Sequence, residues 1–270
     1  MPTSFPDLET LSFDEPEPGI GILRMNRPER MNSQTVQMFH DYLTAGRWLR
    51  DGGLRALIVT GAGERAFCAG FDLEEISVIT SMGVREFLKF QETATGGIQS
   101  IRHLPFPVIA AIHGPATGGG MALALAADIR LGAPTLKMSA AFVKVGLSIG
   151  ELGTSVNLAK IVGPARAAEI GYTAKIVTAE EAERIGLVNR IVDSADLLEE
   201  AMGMARAIST NSPGGVRMSK RAIQRNAEIG SYEAALELEN RGQALLTRTE
   251  DMPEALAAFN EKRAPRFVGR

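Results

Sequence analysis

The chain has few of the residues that build disulfides, metal sites and aromatic cores. Its 270 residues include one cysteine, three histidines and only 6% aromatic residues. A single cysteine cannot form an internal disulfide, which excludes the stapled framework of small secreted proteins and favours a reducing compartment. The three histidines are scattered and match no zinc-binding spacing, so we expect no metal ion.

Long apolar runs are absent as well. The longest uninterrupted one covers residues 121–127, whereas a helix that spans a membrane needs about 20 apolar residues. The N-terminal stretch MPTSFPDLETLSFDEPEPG is acidic and proline-rich, unlike the basic start and apolar run of a secretory signal. We therefore expect a cytoplasmic protein that has no membrane partner.

Positive charge is not in excess. Lys and Arg number 29 against 32 Asp and Glu, which gives a formal net charge of −3. A nucleic-acid-binding domain is normally strongly basic, so we expect no nucleic-acid partner. Hydrophobic residues make up 45% of the chain, as in an ordinary globular protein of one or two domains.

Short β-rich runs alternate with helical patterns through the first two thirds of the chain. Strands are predicted at residues 20–25, 54–60, 106–112 and 128–131, and helices at 34–50, 84–102 (with a broken middle) and 118–125. This alternation predicts an α/β fold with parallel strand pairing. Helix then follows helix, so we place an α/β core at 1–195 and a helical segment at 196–270.

Two glycine-bearing loops each follow a β-like run. The first reads RAFCAGFDL at 65–73 and the second HGPATGGGM at 113–121. Glycine lets a backbone approach a ligand closely, and the free amides at a helix start carry partial positive charge. Each loop could therefore hold an anion, or could simply be a tight turn between a strand and a helix.

The glycines match two nucleotide-binding motifs only incompletely. A P-loop needs Lys and then Ser or Thr after its last glycine, but Met121 and Ala122 follow Gly120. The fingerprint G-x-G-x-x-G is incomplete after strand 54–60, because Ala66 stands where the third glycine should be. Because this motif has variants with alanine at the third position, a dinucleotide-binding site stays an alternative.

Two nucleophiles are also candidates. Ser148 lies in GLSIG, the pattern of a serine-hydrolase elbow, but all three histidines precede it, whereas that fold supplies its base after the serine. Cys68 lies in the first glycine loop without an adjacent base, which is more typical of a buried packing residue than of a catalytic thiol.

Taken together, these segments closely resemble the enoyl-CoA hydratase/isomerase (crotonase) superfamily. The resemblance covers nearly the whole chain and is carried by MNRPERMN (25–32), RAFCAGFDL (65–73), IHGPATGGG (112–120), ADI (127–129), GLVN (186–189) and FNEKRAPRF (259–267). It implies a crotonase-like (ClpP/crotonase) α/β spiral of repeated strand–strand–helix units. It also implies that the C-terminal helices mediate a homotrimer or a dimer of trimers.

The resemblance implies an acyl-CoA thioester as substrate, with no separate cofactor. In this family two backbone amides form an oxyanion hole for the thioester oxygen, and these positions fall at Ala69 and Gly119. Further substrate contacts are implied at Arg30, Met31, Ala66, Gly70, Phe71, Asp72, Leu73, Gly118, Phe142, Phe259 and Lys262.

The catalytic acids depart from the hydratase pattern. A hydratase of this family uses two glutamates, and the corresponding positions here are Ala122 and Phe142, which cannot transfer a proton. Glu151 stands where Δ3,Δ2-enoyl-CoA and dienoyl-CoA isomerases of the superfamily carry an acid. We therefore expect double-bond isomerisation by a single glutamate. A hydratase or hydro-lyase, and an acyl-CoA-binding protein without turnover, remain alternatives, and Glu151 could instead simply stabilise a helix start.

Overall fold

The computed structural model describes residues 4–270 and is built on two β-sheets. The six strands of the larger sheet, in spatial order, are β1 (Leu11–Glu17), β2 (Ile20–Met25), β3 (Ala56–Gly61), β4 (Val108–Ile112), β6 (Ile129–Gly132) and β9 (Arg190–Ile191). The smaller sheet consists of β5 (Pro115–Thr117), β7 (Lys137–Ser139) and β8 (Val177–Thr178). In the larger sheet only β1 runs antiparallel to its neighbour, so the predicted parallel pairing is confirmed for the other strands.

Helices cover both faces of the larger sheet. They are α1 (Val36–Asp51), α2 (Ile76–Ser81), α3 (Val84–Arg102), α4 (Gly119–Ala126), α5 (Thr154–Val162), α6 (Pro164–Thr173), α7 (Ala179–Arg184), α8 (Leu197–Ser209), α9 (Pro213–Asn226), α10 (Tyr232–Leu246) and α11 (Asp251–Glu261). Strand β3 is buried along its whole length, as a central parallel strand should be. Leu57 and Val59 face the core under α1, α3 and α4, whereas Ile58 faces α8.

Three sequence expectations need correction. Strand β1 was not predicted, and its Pro16 and acidic residues suit an edge strand. Helix α3 is continuous rather than broken in the middle, and a Cβ at Gly97 would lie 2.9 Å from Phe39 O on α1. This glycine therefore permits the two helices to pack closely. No helix directly follows β3, so the dinucleotide fingerprint lacks the structural context that it needs.

The helices after residue 195 differ in how they contact the core. Helix α8 packs on the larger sheet through Leu197, Ala201 and Ala205. The boundary predicted after residue 195 therefore assigns this helix and the sheet that it covers to different segments. Helix α10, by contrast, has no buried residue. No helix within residues 4–270 combines the length and apolar character that crossing a membrane requires.

Candidate active site

A cavity of about 410 Å³ opens between the two glycine loops and α3. Its walls come from the first loop, α2, α3, the start of α4 and the segment that precedes α5. Of the predicted site residues, the following line this cavity: Ala69, Gly70, Phe71, Leu73, Gly118, Gly119, Phe142 and Glu151. The structure therefore brings together residues that are up to 82 positions apart in the chain.

Backbone pairing holds the two glycine loops side by side. Cys68 N donates to Pro115 O, and Thr117 N donates to Cys68 O, both at 3.0 Å. Where the loops pass each other there is no room for side chains: a Cβ at Gly120 would lie 2.2 Å from Cys68 O, and one at Gly70 would lie 2.7 Å from Thr117 O. The glycines that the sequence marked as a possible ligand cradle thus also allow the loops to meet.

The amide of Ala69 does not fit its predicted role as an oxyanion donor. Its N–H donates to Met31 O at 3.0 Å, so the chain itself already uses this donor. Gly70 has a φ of +97°, a conformation that favours glycine and that turns the backbone immediately after Ala69.

The amide of Phe71 is the better candidate. Gln34 N donates to Gly70 O at 2.7 Å, and Asp72 N donates to Gln34 O at 2.8 Å. In such a parallel bridge the bonds flank the middle residue, so the N–H of Phe71 points away from Gln34. No acceptor within residues 4–270 is bonded to this N–H. The sequence alone did not reveal this donor. Successive N–H groups along a strand point in opposite directions, and only the strand pairing shows which of them are already hydrogen-bonded.

Gly119 lies opposite this turn. It is the first residue of α4, where the N–H groups have no acceptor within the helix. A Cβ at Gly70 would lie 3.7 Å from Gly119 N, which shows how close the two loops are. Gln34 Nε2 donates to Gly119 O at 3.2 Å and fixes this peptide group. Two unbonded amides, from Phe71 and Gly119, thus lie on the lining of one cavity.

Glu151 lies in a turn just before α5. The turn is made by Leu152 and Gly153, whose φ values are +51° and +80°, and Thr154 N donates to Glu151 O at 2.8 Å. Glu151 precedes the capping residue of the helix, Gly153, so it is not part of the first helical turn. Burial raises the pKa of the Glu151 carboxyl, and the nearby side-chain amide of Gln91 on α3 lowers it in part.

Glu151 is the one carboxylic acid among the described residues that line the cavity. Ala122 is fully buried inside α4, and the ring of Phe142 forms part of the cavity wall. The positions at which a prototype hydratase would carry its two glutamates therefore offer no proton donor or acceptor. Lys144 is the other charged side chain of the lining.

Asp72 does not line the cavity, and its carboxylate is occupied by the protein itself. It accepts from Arg27 Nη1 at 3.0 Å, Arg30 Nη2 at 3.3 Å, Ser33 Oγ at 3.0 Å and Glu74 N at 3.1 Å. Burial would raise the pKa of Asp72, but the bonds from Glu74, Arg30, Arg27 and Ser33 lower it to about 2. The structure thus gives Asp72 a different role from the predicted substrate contact: it ties the 27–34 loop to the first glycine loop.

We expect Asp72→Asn to destabilise the protein by about 2 kcal/mol, because two arginines lose the carboxylate that they share. This cost is smaller than the roughly 3–5 kcal/mol for breaking a fully buried ion pair, because both arginines are partly exposed. Wild-type stability should also fall as the pH drops from about 4 towards 2, because the pKa of Asp72 in the folded protein lies below the ordinary aspartate value of 3.8. Urea unfolding against pH measures both effects.

The matched control is Glu237→Gln, which removes an exposed helical ion pair with Arg241 and should change stability little. Equal stability of Asp72→Asn and wild type at neutral pH would contradict the tethering role of Asp72.

The other predicted contacts lie away from the cavity lining. Met31 O and Ala66 O accept from Ala69 N and Asn32 Nδ2 within the protein. Phe259 is 82% exposed on α11, and Lys262 follows the end of that helix. Their substrate contacts stay predictions, because within one chain neither residue is part of the cavity wall.

The two alternative nucleophiles have structural roles. Ser148 Oγ accepts from Gly150 N at 3.1 Å, the bond of a turn. Cys68 is fully buried, and burial raises the pKa of its thiol to about 12, so the reactive thiolate is suppressed.

Comparisons with known proteins agree with this architecture. Residues 15–270 match the family model described as "Enoyl-CoA hydratase/isomerase". The "Probable enoyl-CoA hydratase EchA12" of Mycobacterium tuberculosis is 38% identical over 261 residues, covering 94% of this chain and 91% of that protein. The "Crotonyl-CoA hydratase" of Syntrophomonas wolfei is 34% identical over 259 residues, covering 95% and 97%.

Solved structures show the same fold. The crystal structure of an enoyl-CoA hydratase from Bacillus anthracis superimposes with a TM-score of 0.91 at 31% identity, covering 97% of this chain and 100% of that one. The predicted crotonase-like α/β fold with a C-terminal helical segment is thereby confirmed. With a family model over most of its length and relatives above 30% identity, the chain belongs to the enoyl-CoA hydratase/isomerase family of enzymes.

Proposed function

We propose that the protein moves the double bond of an enoyl-CoA thioester from C3 to C2, with Glu151 as the single acid–base group. The observation that carries this proposal is that Glu151 is the one carboxylic acid among the described residues of the cavity lining. Its raised pKa brings the group closer to the range in which a side chain can both take up and release a proton.

The proposed reaction has two proton transfers. The Glu151 carboxylate takes a proton from C2, and the electrons of that C–H bond form a dienolate that extends from the thioester oxygen to C4. The same carboxyl then returns the proton at C4, which leaves the double bond between C2 and C3. Atoms balance without water, and the reaction needs no cofactor beyond the CoA of the substrate.

The oxyanion of the dienolate would be bound by the N–H groups of Phe71 and Gly119. Both are free of acceptors in residues 4–270, and both belong to the cavity lining. Because the donors are backbone groups held by paired loops, they need no rearrangement when charge develops. Loss of one such donor typically costs about 3 kcal/mol of transition-state stabilisation.

Hydration of a 2-enoyl-CoA is the second candidate, since relatives of this chain are named hydratases. In that reaction Glu151 would have to activate water alone, because Ala122 and Phe142 cannot assist. The family assignment favours an enzyme over the binding protein without turnover that the sequence left open. A homotrimer or dimer of trimers and a cytoplasmic location stay predictions from the sequence.

The two candidates are separated by offering the purified protein hex-3-enoyl-CoA and hex-2-enoyl-CoA in turn. We expect the first to be converted to the 2-enoyl isomer, and the second to be hydrated at least about 100-fold more slowly, because the site lacks a second acid–base group. Product analysis by chromatography distinguishes the isomer from the 3-hydroxy product. Rapid hydration of the second substrate without isomerisation of the first would overturn the proposal.

A further inference from the structure

Phenylalanine is concentrated around the cavity. The chain has eleven phenylalanines, and five of them line this one space: Phe39, Phe71, Phe87, Phe90 and Phe142. In a protein with only 6% aromatic residues, such a concentration is not explained by overall composition. Chemistry at C2 and C4 does not need these rings, which leaves them available to another part of the substrate.

Three of the rings already contact one another in the geometries that aromatic groups prefer, and a fourth lies beside them at a tilt. Phe39 and Phe71 are nearly parallel, with an interplanar angle of 6° and centroids 6.3 Å apart. Phe90 meets each of them edge-on at 5.9 Å, and Phe87 lies 6.1 Å from Phe90. Offset-stacked and edge-to-face pairs at such distances gain energy beyond the burial of apolar area. A further ring in the cavity could extend this array.

The aromatic wall lies next to the acid–base group. Phe87, Phe90, Gln91 and Ala94 are at positions i, i+3, i+4 and i+7 along α3, so they share one face of that helix, and all line the cavity. Gln91 and Glu151 both line the cavity, and the Gln91 amide is near enough to the carboxyl to affect its pKa. The rings therefore line the same cavity as the carboxylate, and a substrate with C2 to C4 at Glu151 would extend its distal carbons along them.

The size of the cavity also exceeds what a short acyl chain fills. Its volume of about 410 Å³ corresponds to roughly fourteen groups of the size of water, at about 30 Å³ each. A four-carbon acyl group would leave most of this space empty. Ile76 and Ile79 of α2 and Leu152 complete an apolar lining.

We infer that the site selects acyl-CoA thioesters whose chain ends in an aromatic ring, with the ring held by Phe87, Phe71 and Phe90, the last two of which pack against the buried Phe39. This inference rests on the proposed function for the position of the reacting carbons, but it concerns the acyl group and not the type of reaction. Short acyl groups and unbranched chains of equal apolar size are the competing ligands.

Binding of saturated analogues tests the inference without turnover. Calorimetry compares 6-phenylhexanoyl-CoA with decanoyl-CoA, in which a butyl group replaces the phenyl ring, and with hexanoyl-CoA, which has neither. We expect the phenyl compound to bind about 3- to 10-fold more tightly than decanoyl-CoA, since an aromatic pair adds to area burial. Hexanoyl-CoA should bind at least about 10-fold more weakly, because it buries less apolar surface.

The variant Phe90→Leu keeps an apolar wall but removes the ring that contacts the three others. It should reduce the preference for the phenyl compound over decanoyl-CoA to about 1, with little change in affinity for decanoyl-CoA. The control is Phe13→Leu, which removes a ring from a separate cluster with Phe5 and Trp48 and should leave the preference intact. Phe87→Leu, at the edge of the array, provides a second test if Phe90→Leu does not fold.

Two results would overturn the inference: decanoyl-CoA binding as tightly as the phenyl compound, or Phe90→Leu weakening both ligands equally. Because the analogues carry no double bond, these outcomes are independent of catalysis. Failure of the isomerase proposal would instead appear as no conversion of 6-phenylhex-3-enoyl-CoA despite tight binding of its saturated analogue.

Discussion

Replacing Glu151 by glutamine should lower kcat for a 3-enoyl-CoA by about 10²- to 10⁴-fold, the usual contribution of a positioned acid–base group. Glutamine has nearly the same shape as glutamate, so KM should change little. The loss then reflects the missing proton transfer and not a loss of binding. Steady-state kinetics on hex-3-enoyl-CoA measures both constants.

The pH profile gives a second signature of this residue. The proposed mechanism begins with the carboxylate, so wild-type kcat/KM should fall as the pH drops through the pKa of Glu151. Because burial raises this pKa above the ordinary glutamate value of 4.5, the loss of activity should set in above that pH. In Glu151→Gln the residual activity should lack this acidic limb.

Glu180→Gln is the matched control, since Glu180 is an exposed glutamate on α7 that does not line the cavity. It should leave kcat and the pH profile unchanged. Full turnover of the 3-enoyl-CoA by Glu151→Gln would show that Glu151 is not the acid–base group.

Gly70→Ala should have the second large effect, because it disturbs the backbone immediately before Phe71. A side chain at φ +97° is strained, and its Cβ would lie 2.7 Å from Thr117 O on the second loop. We expect a loss of roughly 1–3 kcal/mol in stability from the strain. Displacement of the Phe71 amide should lower kcat by roughly 10²- to 10³-fold, as for the loss of an oxyanion donor. Urea unfolding and steady-state kinetics measure the two losses.

Gly186→Ala separates strain from catalysis. Gly186 also has a positive φ, of +73°, but a Cβ there would meet nothing within 4 Å, and the residue lies outside the cavity lining. This variant should lose some stability and keep wild-type kcat. If Gly70→Ala loses stability but keeps its kcat, the amide of Phe71 does not contribute to catalysis.

Local signals in the sequence predicted much of the fold but failed where packing decides. The strands at β2, β3 and β4 follow from apolar runs that need burial on both faces, and both glycine loops follow from their residues. The break expected in α3 does not occur. Gly97 allows α3 to pack closely against α1, and this packing outweighs the tendency of glycine to interrupt a helix. Strand β1 was missed because its acidic residues and Pro16 conceal an edge strand that needs burial on one side only.

The candidate site also combines features that residue identity decides with features that packing decides. The lack of proton-transferring side chains at Ala122 and Phe142 and the presence of Glu151 are matters of residue identity, so the sequence alone decided which groups could act. Which amide is free could not be known from residue identity, because every residue of the first glycine loop carries a backbone N–H. Pairing of Ala69 with Met31 takes one donor and leaves that of Phe71.

By itself, then, the sequence determined the family resemblance, the two glycine loops and the single candidate acid. Only the tertiary structure decided that Asp72 ties two loops together, that Glu151 is partly buried beside Gln91, and that five phenylalanines surround one cavity. Burial, hydrogen-bond partners and ring contacts depend on residues far apart in the chain, and their positions are fixed only when the sheet and its helices pack.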